Sequence, residues 1–237
     1  MRILIIRHGD PDYAHDSLTE KGRREAELLA QRLQKEKMDY IYCSPLGRAQ
    51  DTAAYTLKAT GLSAQVMPWL REFGSNLKPH GSRACWDRLP SEWTKKAAFY
   101  DADSWYKTPS MRLAGITKEY EFVKNSLFAL LKTHGYENCG KYFRATAPNH
   151  DTLVFFCHFG VECVLLSLLF GVSAMPLLHN FCALTSSVTT VVTEEREKGI
   201  AAFRCLSFSD ISHLYAGHEP PSFQARFCEV YADDTRH

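Results

Sequence analysis

Apolar residues cluster along this chain in short unbroken runs and in helix-spaced stripes. Ile3-Leu4-Ile5-Ile6 is a run of strand length and predicts a short buried strand ending at Arg7-His8-Gly9. A polar loop with Pro11 follows. Thr19 then caps a helix reaching about Lys37: Ala26, Leu29, Ala30 and Leu33 share one face, while Glu20, Arg24, Glu27 and Gln31 lie elsewhere. Residues 40–43 predict a second strand. Ser44-Pro45 reads as a helix start, a capping hydroxyl followed by proline in the first turn. That helix runs from about Leu46 to Thr60, buries Ala49, Ala53 and Leu57, and stops at Gly61; residues 64–67 predict a third strand.

Beyond Gly74 the pattern loosens. Residues 74–116 hold Trp86, Trp93 and Trp105, several prolines and mixed charge; the segment is too aromatic for disorder and predicts an inserted cap of short helices. Residues 117–134 predict a return helix with Phe122, Leu127, Leu130 and Leu131 inward, and 135–150 a poorly patterned loop. Leu153 to Cys157 is a second unbroken apolar run, followed by His158. Residues 161–170 are apolar nearly all round, a buried helix closed by Gly171. Residues 185–193 and 200–208 predict two late strands; the tail after Ser209 carries no assignment. The alternation of strands and helices predicts an α/β fold, a three-layer sandwich with a mostly parallel central sheet flanked by helices. We expect one domain over residues 1–237, with the helical cap inserted at about 74–116.

Composition narrows the function classes. Of 237 residues, 45% are hydrophobic and 23% charged, as in soluble globular proteins. The net charge of +1 gives no global field toward nucleic acid or an anionic membrane, so an anion site must be a local concentration of positive charge. The eight cysteines are scattered without a C-x-x-C pair, and Cys43 and Cys157 sit inside apolar runs; they read as reduced core residues of a cytoplasmic protein. Residues 3–6 are too short for a signal peptide. Residues 161–172 contain Glu162 and fall short of the ~18 residues a membrane span needs.

Three predicted strand ends carry polar residues: Arg7 and His8 on the first, Ser44 with Arg48 one turn into the next helix, and His158 on the fourth. In a parallel sheet these ends share one rim, where α/β folds bind ligands. Two arginines and two histidines then meet a helix N-terminus, which makes a phosphate site by charge, donor geometry and dipole. Taken singly, Arg7 fits a surface ion pair and His8 a hydrogen-bonded histidine at a strand end; convergence favours the site. Lys78, His80, Arg83, Arg88, Lys95 and Lys96 read as a solvated charged face, with a second anion contact as the rival reading. The tryptophans read as core.

The set resembles the histidine phosphatase superfamily, the phosphoglycerate-mutase-like proteins. The matching pieces are Arg7-His8-Gly9, Leu18-Thr19 with Gly22 and Ala26, Ser44-Pro45-Leu46-Gly47-Arg48-Ala49 with Thr52-Ala53, Leu70-Arg71-Glu72-Phe73-Gly74, and Cys157-His158-Phe159-Gly160. They fall in the family's order between residue 1 and about 170. The resemblance implies that His8 takes the phosphoryl group, its other ring nitrogen donating to a backbone carbonyl. It implies that Arg7, Arg48 and His158 surround the phosphoryl oxygens, and that Glu72 protonates the leaving oxygen and then activates water. Glu92 and Glu119 are rival acids. A protonated His158 would add a third positive charge, so neither a metal nor another cofactor is called for, and no H-x-x-H or paired-carboxylate signature is present.

The chain departs from the family pattern at Phe159, where glycine is usual, and at Asp10, whose charge would tune access. Residues 10–17 are shorter than the mutases' loop and lack its further elements. A mutase must retain its intermediate, whereas a phosphatase must only admit water. The expected activity is therefore metal-independent hydrolysis of a phosphorylated small molecule. The rivals are a phosphoglycerate-mutase-type phosphotransferase and a binding module without turnover. Neither a nucleic acid nor a membrane is an expected partner, and the oligomeric state is left open.

Overall fold

The first apolar run forms β1 (Arg2–Arg7), and the second forms β8 (Thr152–Cys157) beside it in parallel, with Arg7 opposite Cys157. The computed structural model describes residues 1–74, 84–223 and 228–235; Lys78, His80 and Arg83 lie outside the described residues. After β1 come a small hairpin, β2 (Pro11–Asp12) and β3 (Ser17–Leu18), then α1 (Glu20–Leu33), β4 (Tyr40–Cys43), α2 (Gly47–Thr60) and β5 (Gln65–Val66). A 3₁₀ turn at Pro68–Leu70 leads on to α3 (Pro90–Trp93), α4 (Pro109–Leu113), α5 (Ile116–Thr133), β6 (Tyr136–Asn138) and β7 (Phe143–Ala145). The chain continues from β8 through α6 (Phe159–Phe170), α7 (Ala174–Asn180), β9 (Val188–Glu197), β10 (Ile200–Asp210) and α8 (Ser212–Ala216).

One sheet orders the strands β5-β4-β8-β1-β9-β10-β7-β6. Pairings from β5 to β1 are parallel and those from β1 to β6 antiparallel, so only β9 and β7 run against the rest. The fold is the expected α/β sandwich with helices on both faces. The unbroken apolar runs follow from this layering, because successive strand residues face opposite sides. Leu4, Ile6, Val154 and Phe156 meet Leu29 and Leu33 of α1 and Ala49 and Ala53 of α2. Ile3, Ile5 and Phe155 enter the larger core with α5, α6 and α7. Trp86, Trp93, Phe99 and Trp105 are buried in that same core, as the tryptophans' reading expects.

Several local expectations change. Residues 135–150 contain β6 and β7, which extend the far edge of the sheet; strands of three residues leave too little alternation to read. Helix α1 ends at Leu33, short of Lys37. Phe122 is 50% exposed, because the buried face of α5 is Ile116, Tyr120, Val123, Leu127 and Leu131. No helix among the described residues is long and apolar enough to cross a membrane.

Phe155 is fully buried, with Tyr42 at 5.6 Å and Trp69 at 5.9 Å between ring centroids. Phe155→Ala is expected to cost about 3–5 kcal/mol, read as a lowered urea midpoint at unchanged slope.

Candidate active site

The parallel trio β4-β8-β1 ends on one rim and delivers Ser44, His158 and His8 there. His8 is 2% exposed and continues the ladder, its N–H donating to Cys157 O at 3.0 Å. Its side chain is held at both ring nitrogens. Nδ1 lies 2.7 Å from Gly9 O, a pure acceptor, so Nδ1 carries the proton. Nε2 accepts from Arg48 Nε at 3.3 Å, so its lone pair lies on the guanidinium side. Burial, then the charges of Arg7 and Arg48, hold the His8 pKa well below the ordinary range. His8 is a neutral imidazole whose Nε2 carries the lone pair.

The loop after His8 lies tight on α1. A Cβ at Gly22 would come within 2.2 Å of Asp10 O, which explains glycine in the first turn. Thr19 caps that helix as expected, accepting from Gly22 N at 3.0 Å. Asp10 turns inward, bonded to Thr19 Oγ1 at 2.6 Å and to the Ser222 hydroxyl, and does not face the entrance. Glu25, absent from the sequence reading, accepts from Asp10 N at 2.9 Å and Thr185 Oγ1 at 3.0 Å; burial pushes its pKa up to about 7.

Ser44 does not cap α2. The helix begins at Gly47, and its first N–H donates to Asp16 Oδ2 at 2.7 Å. Asp16 also pairs with Arg48 Nη1 at 2.5 Å, and the Tyr13 ring lies 5.5 Å from the Arg48 guanidinium. Asp16 thus holds the second arginine. Nothing in the linear sequence signals this, since the partners lie 32 residues apart. The Ser44 hydroxyl accepts from Leu46 N at 3.2 Å, just ahead of the helix, and meets His158 Nε2 at 2.7 Å.

His158 is fully buried, 5.1 Å from His8 between ring centroids, and its Nδ1 has no hydrogen-bond partner among the described residues. Burial, His8 and the three nearby arginines, Arg48, Arg7 and Arg71, hold its pKa well below the ordinary range. In the ligand-free site burial first, and then His8 and the arginines, disfavour the protonated His158 that the sequence reading invoked.

Arg7 is buried and donates to Ala183 O. The Phe159 ring packs 5.8 Å from its guanidinium carbon and edge-on to Trp86 at 6.2 Å, so the phenyl group backs Arg7. Glu72 Oε1 accepts from Phe73 N at 2.8 Å and Gly160 N at 2.9 Å. A Cβ at Gly160 would lie 2.7 Å from that oxygen, so only glycine admits the carboxyl this close. Burial raises the Glu72 pKa, opposed by both N–H donors and by Arg7 and Arg48. Of the rival acids, Glu119 accepts from Gly74 N at 3.0 Å and sits in the field of Glu72, while Glu92 is exposed on α3. Lys95 and Lys96 are exposed, and Arg88 packs over Phe99 at 5.6 Å. The structure thus brings Arg7, His8, Arg48, Glu72 and His158 together and adds Asp16 and Arg71.

Residues 3–110 match the family model described as histidine phosphatase superfamily (branch 1). The chain is 32% identical over 108 residues to the "Probable phosphoglycerate mutase GpmB" of Photorhabdus laumondii, a stretch covering 40% of this chain and 49% of that protein. It is 35% identical over 81 residues to the protein of the same name from Yersinia pestis strain Pestoides F, covering 30% and 38%. The chain thus spans half or less of the length of these curated relatives. Among solved structures, Entamoeba histolytica phosphoserine phosphatase, in complex with phosphoserine, superposes with a TM-score of 0.58 at 20% identity, covering 90% of this chain and 98% of that one. A mycobacterial glucosyl-3-phosphoglycerate phosphatase gives 0.59 at 19%, covering 88% and 98%. These structural likenesses are of fold.

The histidine environments predict a direct observable. In ¹⁵N NMR of the ligand-free protein, His8 and His158 are expected to be neutral at pH 7, with His8 in the Nδ1–H form and both midpoints below 6.5. A charged ring at pH 7 would contradict the geometry.

Proposed function

We propose, from the match of residues 3–110 to the histidine phosphatase superfamily model, that the chain hydrolyses phosphomonoesters of small molecules through a phosphohistidine on His8. The observation that carries the reading is the His8 imidazole, its Nδ1 proton fixed on Gly9 O and its Nε2 lone pair among Arg7, Arg48 and His158. Nε2 attacks phosphorus, the bond to the leaving oxygen breaks, and the Glu72 carboxyl gives that oxygen its proton. Water then attacks the phosphohistidine, the P–N bond breaks, and the Glu72 carboxylate takes the proton from water, restoring the starting state. Arg7 and Arg48 supply planar donors to the phosphoryl oxygens, where electrostatic stabilisation dominates this chemistry. The raised pKa of Glu72 suits an acid near neutral pH. The reading keeps a cytoplasmic setting, in which buried thiols such as Cys43, Cys157 and Cys163 stay reduced.

A mutase reading has one observation in its favour, the name carried by the curated relatives. The short β2-β3 hairpin supports hydrolysis instead. Incubation with phosphoglycerates, scored for isomer against free phosphate, separates the two.

His8→Ala is expected to abolish phosphate release from p-nitrophenyl phosphate and acid-labile labelling of the protein, while chelator leaves the native protein active; full activity of the variant would sink the mechanism. Glu72→Gln should lower kcat by about 10²–10⁴ on an alkyl phosphate and much less on p-nitrophenyl phosphate, whose leaving group needs no proton. Equal losses on both would remove Glu72 from the acid role.

A further inference from the structure

Arg48 is held at its stem and at its head by different segments of the chain. At the stem, its carbonyl accepts from Thr52 Oγ1 at 2.7 Å, and that hydroxyl accepts in turn from Gly9 N at 2.9 Å. The first turn of α2 is thereby tied to the residue after His8. At the head, Nε donates to His8 Nε2 at 3.3 Å and Nη1 donates to Asp16 Oδ1 at 2.5 Å. The guanidinium makes no other hydrogen bond among the described residues. The Tyr13 ring, from the same hairpin loop as Asp16, lies 5.5 Å from its carbon. Asp16 is fixed in its own right. Its second oxygen accepts from Gly47 N at 2.7 Å, and its backbone is left-handed, with φ of +47°. A Cβ at Gly47 would come within 2.1 Å of Asp16 O, so glycine is what lets the loop stand this close to α2. A non-glycine residue held in a left-handed conformation beside a candidate site is a pointer to a role there.

We propose that Asp16 is a positioning residue acting through Arg48: by holding Nη1 it keeps the Nε–Nη2 edge of the guanidinium turned toward His8 Nε2. The inference rests on the phosphohistidine reading and deepens it. Nε and Nη2 carry parallel N–H groups, the fork that matches two oxygens of a phosphoryl group, and Nη1 lies on the other edge. A long side chain free to rotate at this rim would have to be oriented in every turnover. One already clamped presents its donors to the transferring group without reorganisation. The clamp has an opposite effect on simple binding, because the Asp16 carboxylate repels an arriving dianion. Asp16 therefore weakens ground-state affinity while it supplies the orientation that the reaction needs, and removing its charge separates the two effects.

Asp16→Asn is the test, since asparagine tolerates the left-handed backbone and keeps an oxygen for Gly47 N. On p-nitrophenyl phosphate, which asks no proton of Glu72, kcat is expected to fall by about 10–10²-fold. The sulfate Kd, followed through the His8 and His158 NMR signals, should stay level or tighten. In an Arg48→Lys background, which has no fork to aim, adding Asp16→Asn should lower kcat by less than about twofold. Native kcat in the single variant, or an equal loss in the lysine background, overturns the role of Asp16. A weakened sulfate Kd that accompanies the loss of kcat also overturns it, because a general loss of structure has that signature. If the variant fails to fold, ¹⁵N NMR of the native protein decides. Separate Arg48 Nη1 and Nη2 signals, from restricted rotation about Nε–Cζ, support the clamp, and one averaged signal overturns it. Absence of phosphate release from the native protein instead removes the phosphohistidine reading, and this inference with it.

Discussion

The parallel pairing of β1 with β8 is the contact on which the rest depends. It sets Arg7 opposite Cys157, so the residues that follow, His8 and His158, leave the sheet side by side at one depth. Parallel pairing requires both strands to be covered on both faces, and their unbroken apolar runs meet that need. With β4 on the far side of β8, Ser44 joins the same rim and α2 departs from it carrying Arg48. A one-residue slip in β8 would turn His158 to the opposite face and separate the two imidazoles.

Crowding cations at a buried rim creates an electrostatic problem that the surrounding carboxyl groups answer. Arg48 is balanced by Asp16 on the hairpin loop, and Glu72 stands in the fields of both Arg7 and Arg48. Both histidines respond by staying neutral. In the proposed reaction that neutrality is the reactive state of His8, since a protonated ring has no lone pair to offer phosphorus. Burial, with the positive field of Arg7 and Arg48 added to it, keeps the His8 ring unprotonated.

Much of this was legible in the chain. The apolar runs gave β1 and β8 because strands buried on both faces leave no polar positions, and Thr19 announced α1 because its capping partner lies three residues away. Arg7, His8, Arg48, Glu72 and His158 were legible through motif order, and the structure brings them together. Less visible were contacts between distant segments: Asp16 capping α2, Ser44 turned to His158, Glu25 bracing the loop after His8. The strands β6 and β7 escaped because three residues carry too little pattern.

By itself the sequence determined which residue types stand at the strand ends, since periodicity and capping are local and each reports on a few neighbours. Only the tertiary structure decided their state: which nitrogen of His8 holds the proton, that His158 is neutral, and that Phe159 backs Arg7. Charge state and tautomer depend on burial and on every charge within several ångströms, and those neighbours are assembled by folding from segments more than a hundred residues apart.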